Sequence, residues 1–248
     1  MCDSPHCLHA QAGSRRAFLR TSAALAWTAS AGLGGLFSPA AWAAAPPKPE
    51  NVLSPADALQ RLAEGNQRYV SGVMLRHRFA PERPALAGGQ NPYAAILGCA
   101  DSRVVPEYAF DSGRGDLFVT RVAGNVVNDD MLGSLEYAVA VLRVPVILVL
   151  GHDRCGAVGA AVKAVREHTV FPGHIQTLAN ALAPAVRQLG PQHQNVLDAA
   201  IAENVRQGVT ALAAQSDILA QAQQAGKLKI AGGIYRLDTG KVDFLASP

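Results

Sequence analysis

The chain has 248 residues, of which 49% are hydrophobic and 17% charged, and its formal net charge at pH 7 is +3. This length predicts a domain with a full core, and the four cysteines are too few for a small scaffold held by disulfides. Lysine and arginine form no cluster, which argues against a nucleic-acid or membrane-surface protein.

The first 43 residues are typical of an export signal. Ser14–Arg20 contains a twin-arginine pair, an alanine- and glycine-rich stretch follows, and Ala41–Ala43 forms an A-x-A cleavage site. We expect a twin-arginine signal over 1–43, cleaved after Ala43, a periplasmic protein and no stable membrane insertion after cleavage. An uncleaved membrane anchor is the alternative, which three glycines and Pro39 weaken. The signal carries a net charge of +2, so the remaining 205 residues carry only +1 of the total of +3.

The rest of the chain reads as a short lead-in over 44–53 and a single domain over 54–248. Ser54 and Pro55 provide an N-cap and a first-turn proline for a helix that reaches Val70. Residues 76–90 are polar and proline-containing, and we expect a loop with a short helix there. Further helices are predicted over 131–142, 156–168, 175–189 and, as one long segment, 194–225.

Strands alternate with these helices. An apolar run covers Tyr93–Leu97, a second strand covers Leu117–Arg121, and Val144–Leu150 is the continuous β-branched run of a strand buried on both faces. Lys229–Tyr235 and Val242–Leu245 flank a turn and form a closing hairpin. The alternation predicts an α/β fold: a central, mostly parallel sheet flanked by helices, with an antiparallel edge strand at the C-terminus.

Two short motifs carry the chemistry. Gly98–Val104 (GCADSRV) follows the first strand, and Gly151–Gly156 (GHDRCG) follows the buried strand. Ligands of an open parallel sheet bind outside the carboxyl ends of its strands, so the two motifs converge there if the strands are neighbours. Cys99, His152 and Cys155 would then offer two thiolates and an imidazole, which suit Zn²⁺ and leave a fourth tetrahedral position open.

Asp101 follows Cys99 by two residues and has two possible roles. It either occupies the fourth metal position, as a conditional ligand, or accepts a hydrogen bond from a water molecule there. Arg103 is its natural partner through a bidentate ion pair, which would keep the carboxylate turned away from the metal. A closed structural site with Asp101 as permanent fourth ligand is an alternative, and a disulfide between Cys99 and Cys155 in an oxidising periplasm is another.

Together the two motifs resemble those of the β-class carbonic anhydrases. The similarity extends to Glu136–Val139 and to the closing hairpin, and it covers roughly Pro55 to Leu245. The resemblance implies a β-carbonic anhydrase fold and one Zn²⁺ per subunit held by Cys99, His152 and Cys155. It also implies that Asp101 and Arg103 form the catalytic dyad. It also implies the reversible hydration of CO₂ to bicarbonate and a proton through a zinc-bound hydroxide. A related hydrolase that acts on CS₂ or COS remains open.

The resemblance further implies a homodimer or higher homo-oligomer, with a CO₂ pocket built partly by a neighbouring subunit. Gln90 lies where plant-like members carry a substrate-binding glutamine, and Phe118 and Tyr137 lie at their pocket-lining aromatic positions. We place Gly156 beside the substrate as well, where it would let the following helix approach closely. Ile96 stands where some other members have the tryptophan of an allosteric bicarbonate site, so we expect that site to be absent or altered.

Overall fold

A computed structural model describes residues 47–190 and 193–245, and the predicted signal at 1–43 lies outside them. Five strands form one sheet in the order β2-β1-β3-β4-β5. The first four are mutually parallel, and β5 pairs antiparallel with β4. The strands are β1 Ala94–Gly98, β2 Leu117–Arg121, β3 Val146–His152, β4 Lys229–Tyr235 and β5 Val242–Phe244. The predicted α/β sheet with its antiparallel edge strand is confirmed.

Helices cover both faces of this sheet. One apolar cluster joins the sheet to the helices between residues 129 and 224, and a second, on the opposite face, joins it to helices over 55–71 and 106–109. Every residue of β1 and β3 is buried, as expected for strands enclosed between two layers. The helices are α1 Pro55–Ser71, α2 Phe79–Ala87, α3 Pro106–Ala109, α4 Asp129–Ala140, α5 Gly156–Arg166, α6 Ile175–Arg187, α7 Val196–Gln215 and α8 Asp217–Gln224, with 3-10 turns at Pro49–Asn51 and Ala123–Asn125.

Side-chain caps explain where several helices begin. Ser54 accepts a hydrogen bond from the backbone N–H of Asp57 at the start of α1, as its sequence position predicts. Asn128 does the same for α4, so that helix begins two residues before its predicted start. The single helix predicted over 194–225 is wrong. Ser216 breaks it, because its extended backbone (φ −135°) ends α7 and its hydroxyl accepts from the N–H of Leu219 to cap α8.

One buried amide fastens the amino-terminal helix to the rest of the domain. Asn66 on α1 donates to the carbonyls of Ala109 and Gly240 and accepts from the N–H of Val242, at 2.8–2.9 Å. These bonds satisfy three buried backbone groups on two distant segments, and leaving such groups unpaired would cost roughly 1–3 kcal/mol each. Asn66 therefore holds α1 against the end of α3 and against the closing hairpin.

The prediction that Gly156 lets the following helix approach closely is wrong for this chain. A Cβ placed on Gly156 would have no atom within 4 Å, and the same holds for Gly159 one turn later. α5 packs against α6 and α7 through other residues of its surface, which include the fully buried Val158 and Ala161. The space beside Gly156 is therefore open.

Candidate metal centre

The two motifs meet because β1 and β3 are neighbours. The strands pair in parallel with Gly98 opposite Leu150, so both chains leave the sheet at the same edge. Cys99 follows Gly98 directly, His152 is the last residue of β3, and Cys155 immediately precedes α5. The sequence predicted that the two motifs would converge if their strands were neighbours, and the structure confirms this.

Three metal-binding atoms come together at this edge. The two sulfurs and one imidazole nitrogen of Cys99, His152 and Cys155 lie within 4.8 Å of one another. All three residues are buried, and both cysteines are free thiols rather than a disulfide. Two sulfurs and one nitrogen form a set that Zn²⁺ accepts, with a fourth position available for an exogenous ligand.

The ring of His152 is oriented for a metal by its own loop. Nδ1 lies 2.8 Å from the carbonyl oxygen of Asp153, and because a carbonyl only accepts, Nδ1 carries the proton. Nε2 is then left with a lone pair, and it is buried without a hydrogen-bond partner. A metal ion would satisfy that atom, so the residues present fit zinc.

Asp153 is itself positioned by the closing hairpin. Its N–H donates to the carbonyl of Tyr235 at 3.1 Å, and its carboxylate accepts from the N–H of Leu237 at 3.1 Å. These two bonds connect the loop of His152 to the end of β4. The hairpin thereby fixes the carbonyl that sets the tautomer of the histidine.

The environment of Cys99 favours its thiolate. A hydrogen bond from the Cys155 thiol lowers the pKa of Cys99, with further contributions from His152 and from the N–H of Gly124, which lies 3.3 Å from the sulfur. Sharing one proton in this way raises the pKa of Cys155. Burial disfavours a charged imidazole, yet the neighbouring Cys99 thiolate raises the pKa of His152.

The turn that supports Cys99 depends on a glycine. Gly124 adopts φ 76°, and a Cβ there would lie 2.7 Å from a methyl carbon of Leu182. Its carbonyl accepts a 2.9 Å hydrogen bond from the side-chain amide of the buried Asn204 on α7. The amide of Asn204 thus holds the turn that donates to the sulfur, a role with no local signal in the sequence.

Asp101 pairs with Arg103 in this structure. The guanidinium donates through Nε and Nη2 to the two carboxylate oxygens at 2.9 and 2.7 Å, and the Arg103 N–H adds a third bond at 2.9 Å. One carboxylate oxygen lies 3.8 Å from Nε2 of His152. Asp101 therefore stands beside the histidine nitrogen that faces the metal position while Arg103 holds it.

The Arg103 hydrogen bonds hold the pKa of Asp101 well below its usual value. A lowered folded pKa means that the pair stabilises the folded chain above the unfolded value of about 3.9, and that this contribution is lost as the pH falls through the folded value. Asp101 is accordingly ionised throughout the neutral range. Arg121 braces the same turn, since it donates to the carbonyls of Cys99 and Asp101 at 2.8 and 2.6 Å.

The remaining predicted residues lie away from these ligands within the same chain. Gln90 precedes β1, whereas Cys99 follows it, so the two lie toward opposite ends of that strand. Phe118 lies opposite Ala95 near the start of β1. Its ring centroid is 6.4 Å from that of Tyr137, which is 48% exposed. Their substrate-binding roles remain predictions.

The chain is therefore an α/β protein whose mostly parallel sheet carries a buried set of two cysteines and one histidine at its carboxyl edge. Such a set suits zinc. The family model described as carbonic anhydrase matches residues 94–242. Carbonic anhydrase 2 of Mycobacterium tuberculosis is 42% identical over 189 residues, which cover 76% of this chain and 91% of that protein. The carbonic anhydrase of Mycolicibacterium smegmatis is 40% identical over 191 residues, 77% of this chain and 93% of that one.

Solved structures agree with this match. The β-carbonic anhydrase CcaA is 28% identical with a TM-score of 0.59, and the alignment covers 77% of this chain and 93% of that one. A Coccomyxa β-carbonic anhydrase in complex with acetazolamide is 29% identical with a TM-score of 0.58, over 77% and 82% of the two chains. The chain belongs to the carbonic anhydrase family, in its β class, and β-class members are zinc enzymes.

Replacing Cys155 with serine should remove the metal. A thiolate ligand is lost while the size of the side chain is nearly kept, so we expect zinc content to fall from about one ion per chain to below about 0.1 after dialysis. Elemental analysis of the purified proteins measures this directly. Ser102→Ala is the matched control, because Ser102 is exposed in the same turn as Asp101. Full zinc content in Cys155→Ser would contradict the assigned ligand set.

Proposed function

We propose that the chain catalyses the reversible hydration of CO₂ to bicarbonate and a proton. The observation that carries the proposal is the buried triad of Cys99, His152 and Cys155 beside the Asp101–Arg103 pair, in a chain of the carbonic anhydrase family. Zinc bound by the triad supplies a Lewis acid that acidifies water enough to provide a nucleophile near neutral pH.

The residues around the triad have defined tasks in this proposal. Asp101 is ionised and can only accept hydrogen bonds, so it would orient a water molecule at the open face and hold its proton toward the carboxylate. Arg103 is a positioning residue, because its three donors fix both oxygens of Asp101. The open space beside Gly156 adjoins Cys155 and provides room for a molecule as small as CO₂.

Stopped-flow CO₂ hydration by the zinc-loaded chain over 44–248 tests this function. We expect Cys155→Ser to lower kcat/KM by at least about 1,000-fold because it loses the metal. Asp101→Asn, which keeps the shape of the side chain, should lower it by about 10–100-fold while retaining zinc. Ser102→Ala should match the parent. A zinc-loaded parent that is inactive across pH 6–9, or that turns over CS₂ or COS instead, would refute the proposal.

We also propose that the protein is a homo-oligomer whose substrate pockets are shared between subunits. The support is positional, since Gln90 and Phe118 lie toward the amino-terminal end of β1 and the metal ligands at its carboxyl end. The five residues of β1 span about 15 Å, too far for one pocket in one chain. β2 is an edge strand of the described sheet, and the ring of Phe118 on it lies beside the half-exposed ring of Tyr137, tilted by 34°. These aromatic rings would therefore face a second copy.

Two inactive variants should restore activity to each other if the pockets are shared. Cys155→Ser destroys the metal centre and Gln90→Ala the predicted substrate contact, so a mixed dimer of these chains retains one intact site of its two. Random pairing should therefore recover about a quarter of the parent activity when the two are co-expressed with different tags. Each variant co-expressed with itself is the control. No recovery from mixed dimers, or a monomer by light scattering, would disprove sharing.

We propose, finally, that the protein is exported by the twin-arginine route to the periplasm. The twin-arginine pair at Arg15 and Arg16 and the A-x-A site ending at Ala43 support this. Within the described part of the chain, no helix is both long and apolar enough to cross a membrane.

Changing both arginines of the pair to lysine should block export. The double variant Arg15→Lys, Arg16→Lys is expected in the cytoplasm at full length, whereas the parent should be found in the periplasmic fraction with Ala44 as its first residue by mass spectrometry. Arg20→Lys changes an arginine outside the pair and should be exported like the parent. Export of the double variant, or a parent that keeps residues 1–43, would count against the proposal.

A further inference from the structure

A cavity separate from the metal centre lies at the amino-terminal edge of the sheet. Its volume is about 710 Å³, and it is bordered by the start of α1, the end of α4 and the turns that lead into β3 and β4. That volume falls within the roughly 300–1,000 Å³ of small-molecule pockets. His152 is at the opposite end of the seven-residue strand β3, so the cavity lies about 20 Å from the metal centre.

The lining combines an apolar wall with two cations. Apolar side chains from three elements form the wall, and Arg143 and Lys227 are the charged residues of the lining. No acidic residue belongs to that lining in the described chain. The cavity is therefore complementary to a molecule that has an apolar body and a negative head group. The apolar lining residues are Leu53, Pro55, Val139, Ala140, Val144, Pro145 and Ala222.

The two cations have no other task within the described residues. Neither side chain makes a hydrogen bond or ion pair with another residue of 47–190 or 193–245. Both follow helix ends, where cations often neutralise carbonyl groups, but the backbone already does this. The N–H groups of Lys227 and Leu228 bond to the carbonyl of Ala222, and that of Val144 bonds to the carbonyl of Ala138.

The helix ends account for the backbone conformation around the cations. Arg143 has φ 58°, a left-handed conformation that commonly ends a helix, and the N–H of Val144 closes the end of α4 on the carbonyl of Ala138. Pro55, the first residue of α1, also lines the cavity, but the Ser54 cap and the acidic Asp57 in the first turn already compensate the positive end of that helix. The positive charge of the lining therefore comes from the exposed side chains of Arg143 and Lys227.

We propose that this cavity binds a medium-chain carboxylate, with its head group held by Arg143 and Lys227 and its chain against the apolar wall. The apolar wall supplies the burial of the hydrocarbon, and the two cations supply charge-assisted hydrogen bonds to the carboxylate. The site is separate from the metal centre and does not depend on the hydration reaction.

Titration of the zinc-loaded chain over 44–248 with octanoate, followed by methyl NMR and calorimetry, tests the proposal. We expect saturable 1:1 binding, with shifts of the Val139 and Ala222 methyl signals. The double variant Arg143→Ala, Lys227→Ala should bind at least about ten-fold more weakly. Octanamide, which lacks the charge, and acetate, which lacks the chain, should bind to the parent more weakly than octanoate by a similar factor.

A second charge-removing pair provides the matched control. Lys163 and Arg187 lie in the last turns of α5 and α6, outside the cavity lining, so Lys163→Ala with Arg187→Ala should leave octanoate binding unchanged. If both double variants bound octanoate equally weakly, the loss of net charge alone would explain the effect, and the proposal would be overturned. Absence of saturable binding, or shifts confined to other methyl groups, would overturn it as well. Because none of these readouts involves CO₂, failure here leaves the proposed enzymatic function untouched.

Discussion

The parallel pairing of β1 with β3 is the constraint on which the rest of the site depends. Because Gly98 lies opposite Leu150, two segments about fifty residues apart in the chain leave the sheet side by side. Only this register brings the sulfur of Cys99 within reach of His152 and Cys155. The two strands are buried over their full length, so a slip of one residue would move every side chain to the opposite core layer and would also disperse the ligands.

A buried set of thiols and an imidazole is expensive unless each polar atom has a partner. The surrounding loops supply most of those partners: Gly124 donates to the sulfur of Cys99, and Asp153 accepts from His152. Nε2 of His152 is the atom left over, and it faces the metal position. The protein thus orients its ligands before the metal arrives, while the Asp101–Arg103 pair keeps a fixed negative charge at the rim.

Local sequence pattern predicted many of the strands and helices that the folded structure contains. The bounds of β2 and β4 match their predicted ranges, because β-branched and aromatic residues bounded by turn residues mark strands clearly. The long helix over 194–225 failed at Ser216, where a hydroxyl cap interrupts an apolar period that continues on both sides. The short α3 was missed, because one turn of helix leaves no periodic signal.

The sequence alone determined which groups bind the metal, since ligand type and the H-x-x-C spacing are local properties that survive in any context. Asp101 and Arg103 are only two residues apart in the sequence, so their ion pair could be predicted from local spacing. Only the tertiary structure decided that Asn204 holds the turn of Gly124 across 80 residues, and that Gln90 lies away from its own chain's metal ligands. Such contacts depend on how helices pack over the sheet, and packing follows from the summed burial of many side chains rather than from any short pattern.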